Sequence, residues 1–176
     1  MDNHKAQLLR RLKVKCSEAE EELLGVEIFL DDAVPLFVSA IEEYCLKYSL
    51  NNPLDNISKS EDVEEYDEFG SGFYSVFRKI AIKSHPDKNK GDQVDAYIDA
   101  TKAKKEKNIN KLISVSKELK VELTELTYSD IKDIENSIKR TEEKIKKIKT
   151  SYPYIWYFSS DSKRKHIISS FVESKV

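Results

Sequence analysis

The chain has 176 residues, of which 39% are hydrophobic and 35% are Asp, Glu, Lys or Arg. This length fits one medium domain, or a small domain with helical additions. A formal net charge of −2 argues against a general nucleic-acid-binding protein. With 4 Gly and 4 Pro, the composition disfavours a turn-rich β fold and favours long helices, so we expect an all-α protein.

Apolar residues at helical spacing predict a pair of helices in the first 50 residues. The first helix is expected from about Asn3 to Leu24, with Gly25 at its end because glycine suits the residue after a helix. Asp31 or Asp32 is expected to cap the second helix, with Pro35 tolerated in its first turn.

Residues 51–72 form the predicted linker. They contain the acidic run 61–68 and the sequence Gly70-Ser71-Gly72, which is typical of a loop. The acidic run has two interpretations. It is a solvated surface, or its glutamates cover the basic residues Arg78 and Lys83 when no partner is bound.

A short basic helix followed by a proline turn is the most informative segment of the chain. The residues that share one apolar or small face at helical spacing are Phe73, Phe77, Ile80, Ala81 and Ser84. Pro86 disfavours a helical backbone at the preceding residue and cannot continue the hydrogen bonding, so the helix should end near Ser84. Pro-Asp is also a frequent turn pair. The sequence therefore predicts an exposed, stiff loop that presents the His85 imidazole and the Asp87 carboxylate.

The string His85-Pro86-Asp87-Lys88 with the basic helix before it resembles the second helix and loop of a J-domain, the signature of DnaJ-type co-chaperones. The resemblance implies a protein that does no bond chemistry, holds no cofactor and stimulates ATP hydrolysis by a DnaK-type chaperone. In the family, the loop aspartate pairs with an arginine near the chaperone's interdomain linker, and the basic helix docks on an acidic surface. The chaperone-binding residues that it implies are Arg78, Lys79, Lys83, His85, Pro86, Asp87 and Lys88.

The resemblance covers about 73–103, and the chain departs from the family outside it. The first helix of the family is matched only by Glu65–Gly70, closer to the loop than usual, so an N-terminal helix is a candidate replacement. Val94, Tyr97 and Ala100 fit the third helix. The chain has no glycine- and phenylalanine-rich linker and no Cys-x-x-Cys zinc module, which excludes a full-length DnaJ of the general substrate-binding kind.

Two further helices are predicted after the loop. The first is expected from Gln93 to about Leu119, within a J-domain-like hairpin segment of 73–120. The second is expected from a cap at Ser129 or Asp130 to about Lys149. Its heptad seam comprises Ile131, Ile134, Ile138, Thr141, Ile145 and Ile148. We expect this seam to pack against the preceding helix through Ile109, Leu112, Ile113 and Leu119 in an antiparallel hairpin. Dimerisation as a coiled coil is the alternative.

An aromatic cluster, Tyr152–Phe158, lies in the C-terminal segment 121–176 and holds the single Trp of the chain. Large rings favour a plug that closes the helical bundle. The alternative is an exposed patch that binds a protein client. Asp161 is then expected to cap a last helix whose inward residues are Ile167, Ile168, Phe171 and Val172.

The remaining chemistry-bearing residues predict neither an enzyme nor a metal site. Cys16 and Cys45 lie on apolar helical faces and are expected to be buried thiols, with a disulfide or redox pair as the alternative. The three histidines have no ligand spacing, and no Gly-rich phosphate loop or nucleophile elbow occurs. Without a secretory signal or a long apolar stretch, we expect a cytoplasmic protein that does not enter a membrane.

Three functions follow as hypotheses. The first is a J-domain co-chaperone of a DnaK-type partner, and the second is an all-α structural or adaptor protein that keeps a J-like hairpin without chaperone stimulation. The third is a nucleic-acid-binding protein that uses the basic residues of the heptad helix. A solvated face is the favoured interpretation of those residues, which are Lys139, Arg140, Lys144, Lys146, Lys147 and Lys149.

Overall fold

The computed structural model describes residues 3–56, 69–87 and 92–175, and within these ranges the chain is helical without a strand. The all-α prediction is therefore confirmed. The helices are α1 (Asn3–Tyr48), α2 (Ser71–Ser84), α3 (Asp92–Lys105), α4 (Ile109–Glu118), α5 (Tyr128–Lys149), α6 (Tyr152–Tyr157) and α7 (Asp161–Glu173), with a single 3-10 turn at Pro53–Asn56. The acidic run and its predicted cover over the basic helix lie outside the described residues, as does Lys88.

The predicted N-terminal helix pair is wrong, because α1 is one continuous helix of 46 residues. Glycine and proline in a helix interior cost about 1 and 3 kcal/mol. Both breakers are nevertheless accommodated, since Val26 and Ala33 between them are buried at 4% and 0% exposure. Packing on one face therefore holds the helix through Gly25 and Pro35. The aspartates predicted as caps lie inside the helix.

The described residues divide into two compact units that are discontinuous in sequence. Unit 1 draws on 3–22 and 69–143, and unit 2 on 23–56 and 144–175. Both α1 and α5 therefore contribute to each unit. The four consecutive segments suggested by the sequence, 1–50, 51–72, 73–120 and 121–176, remain a prediction about domains.

The core of unit 1 is built by five helices around the α2–α3 hairpin. Its members from α2 and α3 are Phe73, Val76, Ile80, Ala96, Ala100 and Ala103. The α4 and α5 helices add Ile109, Leu112, Ile113, Val115, Ile131, Ile134 and Ile138, and the start of α1 adds Leu9, Leu12 and Cys16. The first half of the predicted seam is thus buried with the predicted residues of α4.

The single helix expected from Gln93 to about Leu119 is wrong, because it breaks between α3 and α4. Lys107 takes a positive φ of 52°, and the Asn108 N–H reaches back 2.8 Å to the Ala103 carbonyl. Asn108 then caps α4 by accepting the Lys111 N–H at 2.9 Å. Asparagine is among the preferred N-cap residues, and this local bonding outweighs continuation of the helix.

The α5 helix confirms the predicted span, although its cap differs from the predicted one. Thr127 precedes the helix, and its hydroxyl accepts the Asp130 N–H at 3.2 Å. The Asp130 carboxylate accepts the Thr127 N–H at 2.6 Å and the Thr127 hydroxyl at 2.8 Å. This reciprocal capping box satisfies two backbone donors at the start of the helix.

The second half of the α5 seam packs on a different partner from the one predicted. Ile145 and Ile148 form a cluster with Val26 of α1, and not with the helix that precedes α5. The Lys144 ammonium group also lies 3.0 Å from the Glu27 carboxylate. The antiparallel hairpin prediction is therefore wrong for these two turns, since α1 runs on past Gly25 and supplies an apolar surface there.

The core of unit 2 joins the C-terminal half of α1 to α7. Phe37, Ile41 and Cys45 pack with Ile168, Phe171 and Val172, and Trp156 of α6 packs against the cluster. Ile167 is half-buried beside them, so the predicted inward face of the last helix is confirmed. Ser160 precedes α7, and Asp161 is its first residue.

Both cysteines are buried free thiols, as predicted. In unit 1 the Cys16 thiol donates to Asn110 Oδ1 at 3.4 Å, and Asn110 Nδ2 donates to Thr141 Oγ1 at 2.8 Å. Asn110 is completely buried, so its amide depends on these two side chains for hydrogen bonds. The network links α1, α4 and α5 within unit 1. Among the described residues, no helix combines the length and the apolar composition that crossing a bilayer requires.

A contrast between two glycines tests the packing at the start of α2. A Cβ atom on Gly72 would lie 2.6 Å from Asp130 Oδ2 and 3.0 Å from Leu126 Cδ2. The capping bonds hold that carboxylate in place, so Gly72→Ala should lower the free energy of unfolding by about 1–3 kcal/mol. Gly25 has open space around it, so Gly25→Ala should raise stability by about 0.5–1 kcal/mol. Urea denaturation of both variants measures the difference, and equal effects would contradict this packing.

The stability of unit 1 should depend on pH through Cys16. Burial raises the pKa of this thiol to about 12, and the Glu20 carboxylate adds to the increase. An unfolded thiol titrates near 8.5, so between roughly pH 8.5 and 12 the unfolded chain binds fewer protons here and stability falls as pH rises. By about pH 10 the loss relative to pH 8 should reach about 1–2 kcal/mol. Urea denaturation at both pH values should show this loss in the wild type and not in Cys16→Ala, whereas parallel losses would refute it.

Candidate functional site

The basic helix ends where the sequence predicts, at Ser84. The fully buried Ser84 hydroxyl donates to the Ile80 carbonyl at 2.8 Å, and the backbone turns at His85 with φ −58° and ψ 132°. Pro86 and Asp87 form the turn that follows. The helix end is therefore fixed by internal bonding on one side and by the proline ring on the other.

The turn presents the two functional groups of the motif to solvent. The Asp87 side chain is 87% exposed and the His85 side chain 42% exposed. His85 Nδ1 accepts the Asp87 N–H at 3.3 Å and lies 3.6 Å from Asp87 Oδ2. The imidazole also meets the Tyr97 ring edge-on, with centroids 5.5 Å apart. Histidine thus stiffens the turn, while the carboxylate projects away from the protein.

The α2–α3 hairpin is held together by large residues on one helix and small ones on the other. Phe73, Val76 and Ile80 of α2 are buried with the alanines of α3 at positions 96, 100 and 103. His85 near the end of α2 meets Tyr97 near the start of α3, and Lys104 near the end of α3 meets Tyr74 near the start of α2. The two helices are therefore antiparallel. Of the predicted third-helix residues, Ala100 is buried, and Val94 and Tyr97 are half-buried.

The predicted cations of α2 do not share one environment. Arg78 and Lys83 are exposed. Lys79 is half-buried, and its ammonium group lies 2.9 Å from the Glu125 carboxylate. The Ser75 hydroxyl donates to the same carboxylate. Glu125 therefore binds to the side of α2 that carries Lys79, a contact that the sequence pattern did not reveal.

An apolar groove beside the turn was also missed by the sequence analysis. Its volume is about 460 Å³. The groove is lined by Tyr74, Phe77, Arg78, Ala81, Ile82, His85, Asp87 and Lys104. Six of these residues follow one edge of α2 and the turn, and Asp87 stands at the end. The helical spacing of 74, 77, 78, 81 and 82 was the available signal for a second apolar stripe.

The basic residues of α5 are exposed, as predicted for a solvated face. The Lys139 ammonium group lies 4.0 Å from the Glu143 carboxylate, and Lys144 pairs with Glu27. Acidic residues thus interrupt this face, which does not present the uniform positive stripe expected of a nucleic-acid-binding surface.

The C-terminal aromatic cluster is neither fully a plug nor fully exposed. Trp156 is half-buried with its ring 5.7 Å from that of Phe37, and its Nε1–H is buried without a hydrogen-bond partner. Phe158 meets Phe29 at 5.2 Å but remains 56% exposed. Ile155 and Tyr152 are also exposed. One side of α6 therefore packs on unit 2, while the other faces water.

Within the described residues, no group of three His, Cys, Asp or Glu side chains is arranged to hold a metal ion. No protein-family model, no curated protein and no solved structure matches this chain.

Proposed function

We propose that the protein is a J-domain-type co-chaperone that binds a DnaK-type chaperone through the turn at His85, Pro86 and Asp87 and stimulates its ATP hydrolysis. The observation that carries the proposal is the position of Asp87. Its carboxylate is 87% exposed on a stiff turn that directly follows a basic helix. Such an anion is available to a cation on another protein, which is the role that the aspartate has in the J-domain family.

The geometry around Asp87 supports this role physically. Pro86 and the edge contact between His85 and Tyr97 restrict the turn, so little conformational freedom is lost when a partner binds. Arg78 and Lys83 add exposed positive charge on the preceding helix. Charges at the rim of an interface raise the association rate and set the register more than they add to affinity.

The start of α1 supports the proposal at the position where the family pattern is weakest. Leu9, Leu12 and Cys16 pack into the same core as the α2–α3 hairpin. A J-domain uses its first helix to brace the hairpin that carries the loop. In this protein we propose that α1 takes over that bracing, with Lys13 adding a hydrogen bond to the Val121 carbonyl. The expected cytoplasmic location is part of this proposal.

An adaptor without chaperone stimulation is the second candidate, and one observation favours it. Glu125 neutralises Lys79, one of the cations expected to meet the chaperone. A hairpin with less positive charge would bind a DnaK-type chaperone more slowly. In this reading the hairpin serves as a scaffold, and binding to its partner would not require Asp87.

Delivery of a protein client is a further part of the proposal. Exposed apolar surface is typical of sites that bind other proteins. In unit 2 the exposed rings of Phe29 and Phe158 lie side by side, and Ile155 is exposed on the same short helix as Trp156. We propose this aromatic surface as the client-binding region.

Replacing the loop aspartate should separate function from folding. Asp87→Asn is nearly isosteric and removes only the charge, so the free energy of unfolding should change by less than about 0.5 kcal/mol. Stimulation of a DnaK-type ATPase in single-turnover assays should fall roughly thirtyfold or more, because one partner of a close charge pair is lost. Asp95→Asn, the same change at an exposed position of α3, should leave stimulation intact.

Two results of this assay would contradict the proposal. Equal stimulation by the wild type and Asp87→Asn would show that the turn is not the contact. Absence of stimulation by the folded wild type, together with a partner that binds both forms equally, would favour the adaptor.

A further inference from the structure

The groove along α2 has an apolar floor that the family resemblance does not account for. Ile82 is 62% exposed and Tyr74 46% exposed, while Phe77 and Ala81 are half-buried between them. At a rise of 1.5 Å per residue, the stretch from Tyr74 to His85 is roughly 16 Å long. An apolar strip of this length in contact with water is typical of a surface that binds another protein.

Charge is distributed unevenly along this strip. The Lys104 ammonium group lies 4.5 Å from the centre of the Phe77 ring and 5.5 Å from that of Tyr74. Arg78 is exposed in the wall of the same groove. Among the described residues that line the groove, Asp87 is the only acid, and it stands at the end formed by the turn. The groove is therefore cationic over its apolar floor and anionic at the turn.

We propose that this groove binds a segment in which aliphatic side chains alternate with acidic ones, with a basic residue at the end that meets Asp87. A purely acidic partner would leave Ile82 and Tyr74 without apolar contact. A purely apolar partner would bury the charges of Arg78 and Lys104 without compensation, which is costly. A mixed segment satisfies both requirements.

The length of the groove limits the size of the occupant. A helix of about ten residues, or an extended segment of about five, spans roughly 16 Å. Binding of such a segment combines apolar burial with rim charges, so its affinity should depend on salt less steeply than that of a purely ionic contact. The assignment of this segment to the DnaK-type chaperone rests on the proposed function, whereas its chemistry rests on the groove.

Labelled synthetic peptides test the chemistry of the groove without a chaperone. The first probe is a fluorescein-labelled peptide of about ten residues with leucines and aspartates alternating at helical spacing and an arginine at one end. Two comparison peptides replace the leucines by serines or the aspartates by lysines. Fluorescence anisotropy with the full chain should show the mixed peptide binding about tenfold or more tightly than either comparison. Equal binding of the serine peptide, or no selective binding of the mixed peptide, would overturn the proposal.

Matched variants show whether the peptide occupies this groove. Ile82→Ser should weaken binding about tenfold, since exposed side chains at a contact contribute to binding and little to folding. Ile98→Ser, at a 57% exposed position of α3 outside the groove, should leave binding unchanged. Lys104→Glu should weaken binding and Lys105→Glu should not. Equal losses within either pair would overturn the assignment.

The same variants separate this inference from the proposed function. If Asp87→Asn abolishes ATPase stimulation while Ile82→Ser has wild-type stimulation and peptide affinity, the co-chaperone proposal stands and the groove proposal is wrong. If the peptide binds selectively but Asp87→Asn stimulates normally, the groove is a peptide-binding site and the co-chaperone proposal is wrong.

Discussion

The close packing of α2 on α3 is the constraint on which the candidate site depends. Alanines at 96, 100 and 103 present a smooth surface, and the fully buried side chains of Phe73 and Ile80 fill the space above it. Small residues on one helix allow the other to approach closely, so the hairpin has little freedom to slide. This packing fixes the end of α2, and the turn at His85–Asp87 inherits its position from that helix end.

A second consequence of this packing is that the two edges of α2 acquire different roles. One edge faces the segment before α5, where Glu125 accepts from Ser75 and pairs with Lys79. The opposite edge carries Tyr74 and Ile82 into the groove. The basic helix of the sequence is thus a helix with one satisfied edge and one open edge, and the open edge is the one that leads to Asp87.

Local chemistry explains what could be predicted from the sequence. The end of α2 follows from Pro86, and the span of α5 follows from a regular isoleucine period. Where burial competes with local propensity, the prediction failed. Gly25 and Pro35 appeared to divide α1, yet an apolar face that continues through Ala33 keeps one helix. The cap at Asn108 was missed for the opposite reason, because a continuous helical pattern hid a strong local signal.

Contacts between distant segments account for the parts of the site that the sequence did not show. No periodicity relates Lys79 to Glu125, or Tyr74 to Lys104, since each pair meets only after the chain has folded. The motif residues themselves were found because they are adjacent in sequence. The chemistry around them depends on the fold, which is why the apolar groove emerged only from the structure.

Chemical-shift mapping of the full chain with a DnaK-type chaperone in its ATP-bound state tests the central claim most directly. If the open edge of α2 and the turn form the contact, amide signals from Tyr74 through Asp87 and at Lys104 should shift or broaden, while those of α7 stay unchanged. Perturbations confined to α6 and α7, or none at chaperone concentrations that saturate an established J-domain protein, would contradict the account.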